Sequence, residues 1–192
     1  MIIRQATIDD APHLAQFSIS AHGGLEEALY GELIPGRTVE SFLEPQYARS
    51  GSTAFYKNHW IAEQDGQVAG GINAFPYDDF ANDTHDPEIP EERFAVFQPF
   101  GELPAAGTYH LVTISVSPAY RKAGVGSALL KFACDQARER GFSEISLYVF
   151  GQNSGALALY EKSGFTVAGR APVVDHPSLR YTGELFLMTA SL

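Results

Sequence analysis

The chain has 192 residues, 45% of them hydrophobic, and a formal net charge of -10 from 23 Asp plus Glu against 13 Lys plus Arg. That content can bury one sizeable core, and the acidic balance excludes general attraction to nucleic acid or to an anionic membrane surface. A single cysteine, Cys134, excludes an internal disulfide or a Cys-based zinc cluster. The opening Met1–Ala6 is too short and polar for a signal peptide, and no run approaches the roughly 20 apolar residues of a membrane span. These features read as a soluble, cytoplasmic protein: one domain over 1–192 with an insertion at about 76–108. The surplus carboxylates serve either solubility or the attraction of a cationic second substrate such as an amine.

In chain order, Ile2 to Ala6 reads as a strand, and Thr7 with Asp10 ahead of Ala11-Pro12-His13-Leu14-Ala15 supplies a helix start. Trp60–Glu63 and Gln67–Phe75 flank an Asp65-Gly66 turn, the signature of an antiparallel hairpin. Residues 76 to 108 carry Pro, Asp, Glu and Phe without sustained periodicity, apart from a short helix around Glu91 to Phe97. Phe94, Phe97 and Phe100 there form either a lid or subunit contact, or pack on the sheet. His110 to Val116 is a strand rich in β-branched residues. Val125 to Arg140 is an amphipathic helix that places Cys134 inside it and ends before Gly141. Strands at Ser143 to Phe150, Phe165 to Gly169 and Glu184 to Thr189 follow, with a helix at Ser154 to Lys162. The alternation of strands and helices from His110 onward requires at least one parallel pair.

The connection from Val116 to Ser127 joins an apolar strand to a helix through a basic turn containing Gly124 and Gly126. Glycine lets the backbone approach a ligand closely, and the opening N–H groups of a helix have no internal partner, so such a turn favours an anion. A nucleotide P-loop needs Lys-Ser or Lys-Thr after its last glycine, whereas Ser127-Ala128 follows Gly126. A dinucleotide fingerprint needs Gly or Ala at position 129, which is Leu129; Glu144, near the place of the ribose acid, does not rescue it. Arg121-x-x-Gly124-x-Gly126 after a strand instead resembles the acyl-CoA motif of the GCN5-related N-acetyltransferase (GNAT) superfamily. Leu147 to Phe165, with Asn153, Ala156, Leu159-Tyr160-Glu161-Lys162 and Gly164-Phe165, resembles the same family's later motif, and Ile3-Arg4-Gln5-Ala6-Thr7-x-x-Asp10 its opening.

The resemblance implies an α/β fold with a mixed, mostly antiparallel central sheet flanked by helices and splayed at the strands ending near Val116 and Val149. It implies acetyl-CoA as co-substrate, without a metal, and a small-molecule or peptide amine as acceptor, with no nucleic-acid or membrane partner; a homodimer is common in the family. Acetyl-CoA would contact Ile114 and Val116 on the strand, Arg121, Lys122, Ala123, Gly124, Val125, Gly126 and Ser127 in the loop, and Asn153 and Tyr160 beyond it. The tetrahedral oxyanion would take a backbone N–H near Val116. Tyr160 matches the family's general acid, or is a core aromatic. Asn153 matches the residue that fixes the second helix and faces the cofactor, or is a plain helix-start residue. Arg121 and Lys122 contact phosphates or are solvated loop charges.

In the histone-type branch a glutamate base lies eleven residues ahead of the motif, and the matching position is His110. Histidine has a suitable pKa near 6.5. Strict alternation, however, groups His110 with Val112, Ile114 and Val116 on a helix-covered face, unless a bulge reverses the parity. Glu63 and Asp78-Asp79 are further base candidates or ordinary solvated carboxylates, and His176 either lines an acceptor pocket or sits in a loop. A catalytically silent acyl-CoA sensor or scaffold of the same fold is the competing class.

Overall fold

The computed structural model describes residues 1–31, 33, 36–83 and 89–192. Its strands are β1 (Ile2–Gln5), β2 (His59–Gln64), β3 (Gln67–Pro76), β4 (Tyr109–Val116), β5 (Glu144–Phe150), β6 (Thr166–Pro172) and β7 (Glu184–Ser191). They form one seven-stranded sheet in the order β1-β2-β3-β4-β5-β7-β6. Neighbours are antiparallel except β4 and β5, the parallel pair. The helices are α1 (Ala11–Ala21), α2 (Leu25–Tyr30), α3 (Val39–Leu43), α4 (Gln98–Gly101), α5 (Val125–Glu139) and α6 (Ser154–Lys162), joined by several single-turn segments.

Local chemistry accounts for the boundaries. Asp65 and Gly66 have φ of 53° and 74°, the two positive values of the turn that matches strand twist in a two-residue hairpin. Arg4 on β1 holds Asp10 through two nitrogens at 2.7 and 2.8 Å and Glu63 on β2 at 2.8 Å, tying the sheet edge to the start of α1. Helix α5 stops at Glu139, and Gly141 follows with φ 84°.

Three apolar clusters fix the layers. Ala69, Ile72, Tyr109, Leu111, Ile145 and Leu147 of the sheet meet Val125, Leu129, Leu130 and Ala133 of α5 and Tyr160 of α6 on one face. On the other face α1 and α3 cover Ile61. There too α2 and the 96–105 segment cover Phe150, Leu185 and Leu187. Phe97 and Phe100 belong to this second layer: the Phe94, Phe97 and Phe100 rings meet in series in tilted contacts, and Phe100 meets the Tyr148 ring at 5.0 Å. A helical turn does form over Glu91–Phe97, with further short turns at Tyr77–Asn82 and α4, while residues 84–88 of the expected insertion lie outside the described residues.

Strict alternation along β4 is not what the chain adopts. Asn73 pairs with Thr113 but Ala74 with Leu111, so Val112 is the extra residue of a bulge. The bulge reverses the parity. Tyr109 and Leu111 before it, and Ile114 and Val116 after it, pack toward α5. His110 is therefore on the opposite face from Ile114 and Val116, not grouped with them.

Candidate active site

Strand β5 pairs with β4 only where Tyr109–Leu111 meets Ile145–Leu147. Beyond Leu111 the two strands part, leaving residues 112–116 without a partner on that side. The Ser117 N–H donates to Ala69 O at 2.9 Å, toward β3. By the two-residue alternation of an antiparallel ladder, the N–H groups of Ile114 and Val116 face the opening.

The glycine loop lies at the mouth of this opening. After Arg121 in an extended conformation, Lys122 has φ 63° and Gly124, the N-cap of α5, has φ 85°. No side chain caps the helix, and its first amide with a backbone partner is Ala128 N–H, which donates to Gly124 O at 3.0 Å. The amides of Val125, Gly126 and Ser127 are consequently free to bind an anion. Nothing lies within 4 Å of where a Cβ at Gly124 would be, and a Cβ at Gly126 would sit 3.6 Å from both Val116 Cγ2 and Leu159 Cδ2. The residues present thus fit a diphosphate on the loop, with strand and α6 converging behind it.

The other expected contacts fall around this cradle in different ways. Arg121, Lys122, Ala123, Gly124 and Ser127 are exposed, whereas the Val125 side chain is buried in the core and offers only its backbone. The Arg121 Nε donates to Val116 O at 3.4 Å. Asn153 caps α6, its Oδ1 accepting from Ala156 N–H at 3.2 Å. Tyr160 is buried, with its ring 5.9 Å from that of Phe165, and burial pushes its phenol well above the ordinary value.

His110 is 1% exposed, ringed by Tyr77, Phe80 and Tyr148, with Nδ1 2.8 Å from Ser146 Oγ. Burial pushes its pKa down to about 3. Glu63 is taken by Arg4, and Asp78 accepts from Gly107 N–H at 3.3 Å. His176 accepts a 3.2 Å hydrogen bond from Ser178 N–H and lines a cavity of about 260 Å³ with Glu27, Glu92 and Pro177, between α2 and the β6–β7 connection. Cys134 is half-buried on α5, and burial raises its thiol. Among the described residues no group of three His, Cys, Asp or Glu is placed to hold a metal ion, and no helix is long and apolar enough to cross a membrane.

Residues 27–165 match the Acetyltransferase (GNAT) family. The chain belongs to that family. A 75-residue stretch is 43% identical to mycothiol acetyltransferase of Beutenbergia cavernae, covering 39% of this chain and 24% of that one. A 58-residue stretch is 41% identical to the [ribosomal protein bS18]-alanine N-acetyltransferase of Escherichia coli K12, covering 30% and 39% respectively. These matches span less than half the length of either curated relative. A crystal structure described as an acetyltransferase superposes over 100% of this chain and 99% of its own, with a TM-score of 0.71 and 25% identity. The likeness of this GNAT chain to that structure thus extends over the whole chain, not only over a local motif.

One polar group in this GNAT fold had no counterpart in the sequence reading. His22, at the end of α1, reaches Thr113 Oγ1 at 2.9 Å and Val112 O at 3.3 Å, while its other nitrogen lies 2.5 Å from Glu26 Oε1. The i, i+4 spacing of His22 and Glu26 is the available signal, but Gly23 and Gly24 between them, with φ of 64° and 101°, interrupt the helical pattern.

Proposed function

We propose that the chain is an acetyl-CoA-dependent N-acetyltransferase that moves an acetyl group to a primary amine by direct attack, as a soluble cytoplasmic enzyme. The observation that carries this reading is the uncapped start of α5 opening beside the unpaired end of β4. Free amides of Val125, Gly126 and Ser127, with Arg121 and Lys122 alongside, would hold the diphosphate; Ala123 and Gly124 keep the approach clear. When bound, acetyl-CoA would supply a thioester to which the neutral amine adds, moving charge onto the carbonyl oxygen; as that charge returns, the C–S bond breaks, the CoA thiolate leaves, and the nitrogen gives up its proton to water or to the thiolate.

The chain's own groups then account for positioning and charge. The N–H groups of Ile114 and Val116 face the opening, where they would donate to the oxygen that becomes an oxyanion. Tyr160, with its phenol pushed upward by burial, stays protonated. A phenol so shifted is a better hydrogen-bond donor to a thiolate of pKa about 8.5 than a source of a fully transferred proton. Asn153 orients α6, which carries Tyr160. His110, neutral and enclosed, enters this reading as an internal polar anchor and not as the base. An amine of pKa about 10.4 must lose its proton at a cost of roughly 4 kcal/mol three pH units lower; the acidic surface favours gathering such cations. The relatives named above act on different acceptors, so a small-molecule or peptide amine is as far as the reading extends. Their transferase names favour turnover over a silent acyl-CoA sensor, and the chain is treated as a protomer capable of homodimerisation.

Calorimetry with CoA, and release of CoA thiol from acetyl-CoA with polyamines and N-terminally free peptides, test the reading. Heat of binding and amine-dependent thiol release are expected; no heat of binding would overturn it, and binding without release would favour the sensor. Tyr160→Phe should lower kcat by about 100-fold while CoA affinity changes only a few-fold, and an unchanged kcat would remove Tyr160 from the mechanism.

A further inference from the structure

A buried polar cluster lies on the face of the sheet opposite α5, outside the cradle described above. His22 and Glu26 form its centre, with side chains 21% and 7% exposed. The Ser18 hydroxyl donates to Glu26 Oε1 at 2.5 Å, and Glu26 Oε2 is buried without a partner among the described residues. The contacts around both ring nitrogens suit an imidazolium. Nδ1 lies 2.5 Å from Glu26 Oε1, and Nε2 3.3 Å from the Val112 carbonyl, which can only accept. A neutral ring with its proton on Nδ1 would accept from the Thr113 hydroxyl at 2.9 Å and turn a lone pair toward the Val112 carbonyl, whereas an imidazolium donates on both sides, to Glu26 and to Val112 O and Thr113 Oγ1.

The charges around the pair agree. Among the described residues, Tyr47 from the 44–48 turn and His59 from β2 are the other titratable groups in electrostatic contact with it. Burial pushes Tyr47 up and His59 down to about 4, so both are neutral, and among the described residues Glu26 is the one countercharge His22 meets. Burial opposes charging of His22, but the Glu26 carboxylate outweighs it and raises the imidazole, while the imidazolium lowers Glu26. The attraction is therefore lost as pH rises through the raised His22 value, and lost at the acid end as Glu26 protonates.

Val112 is the bulged residue of β4, and the bulge is what turns the amides of Ile114 and Val116 toward the opening. We propose that the His22–Glu26 ion pair is a positioning clamp on this bulge, holding the Val112 carbonyl so that the amides beyond it stay aimed at the acyl group. The proposal rests on the transferase reading for its effect on turnover, but not for the protonation state of the clamp. Neither residue touches the reacting atoms; they act through β4.

The experiment uses the full chain. Nitrogen NMR of the imidazoles should show His22 protonated on both nitrogens at pH 7, and a single protonated nitrogen there would overturn the clamp. With acetyl-CoA and the amine giving fastest thiol release, Glu26→Gln should lower kcat roughly tenfold or more while the Kd for CoA stays within about twofold. The alkaline limb of the kcat profile should move to lower pH in the same variant. A folded Glu26→Gln protein with wild-type kcat and an unmoved limb would overturn the proposal. If that variant fails to fold, the wild-type imidazole spectrum decides alone. Absence of CoA binding by the wild type would instead defeat the transferase reading while leaving the spectrum as the test of the ion pair.

Discussion

Two kinds of helix start coexist in this molecule. At the single turn Ile8–Asp10 that runs into α1, the Thr7 N–H donates to Asp10 Oδ2 at 2.8 Å and Arg4 clasps both oxygens of the same carboxylate; at α6 the Asn153 side chain accepts from Ala156 N–H. Helix α5, longer than either, has no capping side chain and no acidic residue in its first turn, although the chain holds 23 Asp and Glu. A Ser, Asp or Asn in place of glycine at an ordinary N-cap would supply about a few tenths of a kcal/mol. The closed starts stabilise the fold, and the open one keeps its amides available. The contrast separates residues that hold the structure from residues that meet a ligand, and it can be broken in both directions.

The largest effect should come from closing the open start. Gly126→Asp adds a carboxylate to the first turn of α5, where space exists for a Cβ at ordinary contact distance from Val116 and Leu159. Like charges about 4 Å apart repel by about 4 kcal/mol at the effective dielectric of a protein surface. We expect the Kd for CoA, measured by calorimetry, to rise about 100-fold. Thermal stability should hold or improve, because an acid near a helix N-terminus contributes about 0.3 to 1 kcal/mol. Affinity lost together with stability would mean that the cradle was damaged, and affinity unchanged would mean that the open start is not the diphosphate site.

Acid should act on the closed start of α1 next. The Arg4 guanidinium, opposed by partial burial and helped by Thr7, holds the Asp10 carboxyl down at about 2, against an ordinary value of 3.8. Because the folded value is the lower one, the contribution is complete above the ordinary carboxylate range and disappears as pH falls from about 5 toward 2. It amounts to about 2 kcal/mol. Denaturant titrations at pH 7 and pH 3 should show Asp10→Asn losing about half of its stability deficit at the lower pH. A deficit of equal size at both would assign the cost to packing.

The sequence made these helix starts legible for a physical reason: each is written in residues within a few positions of each other. Asp65-Gly66 gave the hairpin in the same local way, and Val125 to Arg140 gave α5 to within a residue at its end. Helices α2 and α3 were not legible, since Leu25–Tyr30 and Val39–Leu43 are too short to display a period and are held by tertiary contacts. Nor was the bulge at Val112, because a register shift depends on which β3 residue faces it. His22 illustrates both failures: its partners are Glu26 across a two-glycine break, and Val112 and Thr113 some ninety positions away. Of the cradle, the loop was readable by motif; that the Val125 side chain belongs to the core and His110 to the far face required the packed sheet.

The smallest effect should come from opening the start of α6. Asn153→Ala removes the Oδ1 acceptor of the Ala156 amide but leaves the backbone bonds from Asn153 N–H to Phe150 O and from Leu157 N–H to Asn153 O. The loss should be about 1 kcal/mol in a denaturant titration, with CoA affinity changed less than about threefold. Asn153→Asp keeps the acceptor and should recover most of the stability. It also places a negative charge where a cofactor-facing amide group would matter. If Asn153 only caps, the Asp variant binds CoA as the wild type does. If its free amide nitrogen also faces the ligand, the Asp variant will be stable and yet bind weakly, and α6 would then join α5 as a helix whose first residues meet the cofactor.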